Sequence, residues 1–318
     1  MFKGLRVPAA ALALAGAALV LGNVGAFAYA RGSVGYDIGY LQCGTRYPNG
    51  SRVAAAPIRR SQFTSRLVST RTPASPQQAS GAGGTWWSVP VQTAPASGSP
   101  SLRTWYRPSY SFGIIGVDSG YPFRSTVHPG NPCLADEYNH TPQPGLYVNT
   151  GYDPSYTDTT HTTASCSQQS TTVSGTAAQK AAWAVGCSEA NGDYGYASGL
   201  GITSPAGWWL DVETSNSWCG QPGTACTDLT LNQYALQGII DTFTHIGAVP
   251  IGIYSNLTQW SAIVGNLAVT GATSDWVASG TYTAQQAATY CASSYSFSGA
   301  PVSLVQFLGG SVDRDYAC

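Results

Sequence analysis

Short apolar runs recur along this chain, several of them closing on a carboxylate, an amide or a hydroxyl. They are Ser33–Leu41, Phe112–Asp118, Gly145–Asn149, Gly207–Glu213, Ala248–Ser255, Asp275–Ala278 and Val302–Phe307. Runs of this length fit buried strands better than helices. Helical periodicity falls between them, over Thr176–Val185 and Leu229–Ile246. The second stretch has Asp228 as its N-cap, an apolar face of Leu236, Ile239, Ile240, Phe243 and Ile246, and Gly247 as its stop. Strands that alternate with helices build a mostly parallel sheet with helices outside it. Without an arginine-rich stretch after the first strand, roughly 220 residues remain, near the lower size of a β/α barrel. One α/β barrel domain is therefore expected.

In such a barrel the C-terminal strand ends meet on one face, where active sites form. Asp37 lies in Gly35-Tyr36-Asp37-Ile38-Gly39, Asp118 closes the second run and Asn149 the third. Asp211 and Glu213 close Trp208-Trp209-Leu210-Asp211-Val212-Glu213, Tyr254 lies near the end of the fifth run, and Asp313 follows the last. Acids two apart occur twice, here and at Asp313-Arg314-Asp315, so spacing alone says little. The context says more. Two carboxylates on one face of an apolar strand are disfavoured as ions by burial and by each other. The same forces can keep Glu213 protonated as a general acid while Asp211 stays ionised. An ion-paired structural role is disfavoured by the scarcity of Lys and Arg nearby.

Only 9% of the 318 residues are charged and the net charge is -1. With no Lys/Arg-rich helix, that balance excludes a nucleic-acid binder driven by phosphate neutralisation. Residues 1–30 read as an export signal: Lys3 and Arg6, an apolar run from Val7 to Leu21, then small residues at Ala28 and Ala30. No later stretch reaches the roughly 20 apolar residues of a membrane span, so no stable membrane insertion is expected. All eight cysteines lie beyond the signal, an even number that reads as disulfides, although eight allow 105 connectivities. The favoured set is Cys219–Cys226, Cys166–Cys187 and Cys291–Cys318, leaving Cys43–Cys133. With no C-x-x-C, and His128, His140, His161 and His245 scattered, no metal and no cofactor is expected. Residues 45–109 carry eight Arg and no acid. They read as an insertion in the barrel domain 31–318, either a cationic arm for an anionic wall or a segment without specific use.

Four motifs, in order, resemble those of the family 25 glycoside hydrolases, the Chalaropsis-type lysozymes. Gly35-Tyr36-Asp37-Ile38-Gly39 resembles their opening G-x-D-V-S strand, and Trp209-Leu210-Asp211-Val212-Glu213 their D-x-E strand. Ile251-Gly252-Ile253-Tyr254-Ser255 is similar to their G-I-Y-T/S strand, and Val305-Gln306-Phe307 with Val312-Asp313 to their closing element. Departures are Val117-Asp118-Ser119-Gly120 at the second strand, and Val305 and Phe307 in the closing strand. The resemblance implies an irregular, disulfide-stabilised TIM-type (β/α)5(β)3 barrel that cleaves β-1,4 bonds after N-acetylmuramic acid in peptidoglycan. Glu213 would match the proton donor, Asp211 the residue that orients or stabilises the reacting sugar, and Asp37 and Asp313 the flanking carboxylates. Asp118, Asn149, Tyr36, Tyr254, Trp276 and Gln306 are the expected substrate-binding residues. A monomer, secreted or associated with the cell wall, is expected. The alternative is a barrel of the same kind that binds wall glycan without turning it over.

Overall fold

The structure, a computed structural model, describes residues 27, 29–44, 47–48, 109–123, 129–157, 161–224, 226–265, 269–310 and 312–318. Most of the expected export signal and of the 45–109 insertion lies outside the described residues, as does His128.

Eight strands close into a barrel: β1 (Val34–Ile38), β2 (Phe112–Gly116), β3 (Pro144–Asn149), β4 (Trp208–Asp211), β5 (Ile251–Ser255), β6 (Ser274–Ala278), β7 (Val302–Phe307) and β8 (Arg314–Ala317). The first seven pair in parallel, in chain order. Strand β8 runs antiparallel to both β7 and β1 and closes the ring. The link from β7 to β8 is short, and a short link joins only antiparallel neighbours. The barrel is thus a disulfide-stabilised α/β barrel with one reversed strand.

The helices are α1 (Leu134–His140), α2 (Ala164–Ser170), α3 (Ala177–Gly199), α4 (Leu229–His245), α5 (Leu257–Val264) and α6 (Ala284–Ala288). Helix α3 starts as its sequence predicts, with Thr176 and Gln179 capping each other's backbone amides, but runs on to Gly199 instead of Val185. Helix α4 begins at the expected cap, where Asp228 accepts from the Thr230 amide. The two helices touch through glycines. A Cβ on Gly186 would strike the Ala235 carbonyl, and one on Gly238 the Trp183 carbonyl.

The barrel has two apolar layers. Outside the strands, Leu236, Ile239, Ile240 and Phe243 of α4 are fully buried with Trp208, Leu210 and Ile253. Inside, Phe112, Ile114, Trp209, Tyr254, Trp276, Leu304 and Ala317 form a separate cluster. The four disulfides are Cys43–Cys133, Cys166–Cys187, Cys219–Cys226 and Cys291–Cys318, the favoured set. The first ties the loop after β1 to the start of α1. The last ties the segment after α6 to the end of β8.

Candidate active site

Alternate residues of a barrel strand point inward. On β1 these are Gly35 and Asp37, and on β4 they are Trp209 and Asp211, with Glu213 two residues further along. On β8 and its approach they are Asp313, Asp315 and Ala317. Register brings the acids together. Tyr36 pairs with Arg314 across the β1–β8 seam, and the Asp37 amide donates to the Asp313 carbonyl at 3.2 Å. Two carboxyls therefore stand on neighbouring inward positions, an arrangement that repels when both ionise.

At the C-terminal mouth Asp37, Asp211, Glu213 and Asp313 line one cavity of about 480 Å³, together with Tyr40, Leu41, Gln42, Tyr147 and Asn149. Below its opening the same four acids, with Tyr147, Tyr254, Trp276 and Gln306, line a deeper space of about 280 Å³. None of the described lining residues is Lys or Arg. Hydrogen bonds fix the walls. The Tyr254 hydroxyl donates to Gln306 Oε1 at 2.7 Å, and Gln306 Nε2 donates to Asp37 Oδ2 at 3.1 Å. Trp276 Nε1 donates to Asp315 Oδ1 at 2.8 Å. On the other side Gln259 Nε2 donates to Glu213 Oε1 at 3.3 Å, while Gln259 Oε1 accepts from the Thr214 amide at 2.7 Å.

Burial without cations raises the proton affinity of every one of these acids. Asp37 is pushed up to about 7, by burial first and by Asp313 next, against the Gln306 hydrogen bond. Asp211 is held well above the carboxylate range by burial and then by Glu213, and its Oδ1 has no partner. Glu213 is raised by burial, with Gln259 and Ser215 opposing. Burial also raises Asp313. Both acids of the D-x-E pair thus bind protons more tightly than free carboxyls do, and a charge on Glu213 raises Asp211 further.

No family model matches the chain, and no curated protein matches it. Solved structures do. The muramidase from Acremonium alcalophilum aligns with a TM-score of 0.45 at 13% identity, over 90% of this chain and 93% of that one. The muramidase from Trichobolus zukalii aligns at 0.38 and 15% identity, over 67% of this chain and 84% of that one. The modular autolysin LytC from Streptococcus pneumoniae, in complex with a synthetic peptidoglycan ligand, aligns at 0.39 and 13% identity. That alignment covers 65% of this chain and 40% of LytC.

Of the ten residues expected in the site, eight line it. Two do not. Tyr36 points out of the barrel into the helical layer, where its hydroxyl bonds Thr141 Oγ1 at 3.0 Å and its ring meets Tyr110 edge-on. Its neighbour Asp37 faces inward, so strand alternation turns Tyr36 away from the cavity. Asp118 lies behind the wall. Its Oδ1 accepts from Asn149 Nδ2 and its Oδ2 from the Asn149 amide, both at 2.7 Å, so it positions Asn149. Several residues at the site escape the sequence reading, among them Tyr40, Leu41, Gln42 and Tyr147 in the wall and Gln259 beside Glu213. Tyr147 lies two residues before Asn149 on the same face, and strand parity alone would have found it. Gln259 sits on α5, where nothing in the sequence points to Glu213. Among the described residues no group of three or more His, Cys, Asp or Glu is arranged to hold a metal, and no helix is long and apolar enough to cross a membrane.

Proposed function

We propose that the chain is an exported glycoside hydrolase of lysozyme type, cleaving the β-1,4 bond after N-acetylmuramic acid in peptidoglycan. The observation that carries this reading is the convergence of Asp37, Asp211, Glu213 and Asp313 on one cation-free cavity with an aromatic wall. Glycoside hydrolysis asks for a protonated carboxyl at the leaving oxygen and for negative charge beside an oxocarbenium-like centre. Glu213 is the least buried of the D-x-E pair, is steadied by Gln259 and has a raised proton affinity, which fits the acid. Asp211 lies deeper in the same cavity wall, where its carboxyl faces the reacting sugar. As positive charge develops on the sugar ring, it favours the ionised forms of Asp211, Asp37 and Asp313, whose combined field stabilises it. Tyr147, Tyr254 and Trp276 supply apolar faces for a pyranose ring.

The test is release of new reducing ends from purified peptidoglycan by the exported protein. Release that ends at N-acetylmuramic acid supports the proposal. Binding to the same peptidoglycan without release overturns it in favour of a glycan-binding barrel.

A further inference from the structure

The floor of the barrel, opposite the acidic mouth, is closed by residues that precede β1. Phe27 stacks on Trp209 with ring centroids 4.0 Å apart and planes 24° from parallel. Tyr29 stacks on Phe112 at 4.2 Å and 22°. Trp209 and Phe112 are fully buried and belong to the cluster inside the barrel. The entries to two strands are shaped around these rings. A Cβ on Gly207 would collide with the Phe27 ring, and one on Gly145 with the Tyr29 hydroxyl. Glycine within a sheet marks a place where another group approaches the backbone closely. Here that group is the segment before β1.

This packing bears on where the export signal ends. The small-x-small pattern of a signal cleavage site occurs three times in register: Val24 and Ala26, Ala26 and Ala28, Ala28 and Ala30. The motif alone does not rank them. Cleavage after Ala30 would discard both floor rings, and cleavage after Ala28 would discard Phe27. Either cut would expose buried aromatic surface on Trp209 to water. We infer that the signal is cut between Ala26 and Phe27, so that Phe27 and Tyr29, at the mature amino terminus, plug the barrel floor. Water adds across the Ala26–Phe27 peptide bond, leaving a carboxylate on Ala26 and an ammonium on Phe27. Phe27 is only half-buried, so its ring can sit inside while the ammonium meets solvent. The boundary thus precedes the expected start at Arg31.

The inference rests on the reading that the chain is exported, and its test separates the two. The 318-residue chain is expressed in a secreting bacterial host, and the protein in the medium is sequenced from its amino terminus and weighed intact. Phe27 as the first residue is the expected result. Tyr29 or Arg31 as the first residue overturns the inference and leaves export standing. A chain that stays in the cell with residues 1–26 attached overturns both. The plug is tested separately by Phe27→Ala and Phe27→Leu in the exported protein. The alanine variant should lose on the order of 10 °C in Tm, as the loss of a large buried side chain does in a domain of this size. The leucine variant should keep most of it. An unchanged Tm in Phe27→Ala would overturn the plug even if Phe27 is the first residue.

Discussion

At the scale of single residues, the proposed chemistry and the packing make opposite demands, and two substitutions separate them. Glu213→Gln keeps an oxygen for Gln259 Nε2 but has no proton to give. Loss of a positioned general acid costs on the order of 10²–10⁴ in rate. Release of reducing ends should fall by that factor with Tm nearly unchanged, and full activity in this variant would remove Glu213 from its role. Tyr36→Phe is the converse. It deletes a hydroxyl bonded at 3.0 Å to Thr141, on the far side of β1 from the cavity. Removing one such bond costs about 0.5–1.5 kcal/mol of stability, and kcat and KM should not move. The pair Tyr36 and Asp37 also marks where sequence reading reaches its limit. Their strand is legible from its apolar run, but which face looks inward depends on β8 closing against β1, a contact between distant parts of the chain. A shift of one residue exchanges the faces, so the motif carried Tyr36 into the site along with Asp37.

At the scale of elements, legibility follows burial and length. Strands β2 and β5 are buried at every position and appear in the sequence as unbroken apolar runs. Strand β8, Arg314-Asp315-Tyr316-Ala317, turns a carboxylate into the barrel, where Trp276 meets it, and so has no apolar run to read. Helices α1, α2, α5 and α6 span five to eight residues, less than the window in which a 3.6-residue period shows. The length of α3 is hidden for another reason. Ala182, Ala184, Gly186 and Ala190 are small residues packed close against α4 and α2, so the helix lacks a strong one-sided stripe of large side chains. This crossing yields a test of sign. Helix propensity says that Gly186→Ala should stabilise α3 by about 1 kcal/mol. The added methyl, however, would meet the Ala235 backbone carbonyl, which cannot move without shifting α4. Overpacking typically costs about 1–3 kcal/mol, so the contact outweighs the propensity. Thermal or denaturant unfolding of Gly186→Ala should show a loss of stability. A gain would mean that the two helices do not cross at this glycine.

At the scale of the whole molecule, the described barrel buries many carboxyls and few cations, which sets an uncommon dependence of stability on pH. Asp37 inside the mouth is pushed up to about 7 by burial and by Asp313. Glu137, bonded to Asn131 Nδ2 under α1, is pushed up to about 7 by burial. Asp211 and Asp315 are raised as well, by burial first and by neighbouring acids next. In the unfolded chain the same groups lose their protons near pH 4. Between about pH 4 and pH 7 the folded state therefore binds more protons than the unfolded one. Since the slope of unfolding free energy with pH follows protons bound unfolded minus protons bound folded, it is negative across this window. A raised folded-state value contributes stability that is fully present below the unfolded value and is lost as pH rises through the folded one. The Tm of the protein should accordingly be highest near pH 4–5 and fall steadily towards pH 8, the reverse of acid denaturation in a protein with salt-bridged carboxylates. Asp37→Asn should flatten the fall, because the amide does not ionise, and the flattening should lie between about pH 4 and pH 7, where only folded Asp37 keeps its proton. A Tm that rises from pH 5 to pH 8 would show that these carboxyls are ionised and compensated in the folded chain.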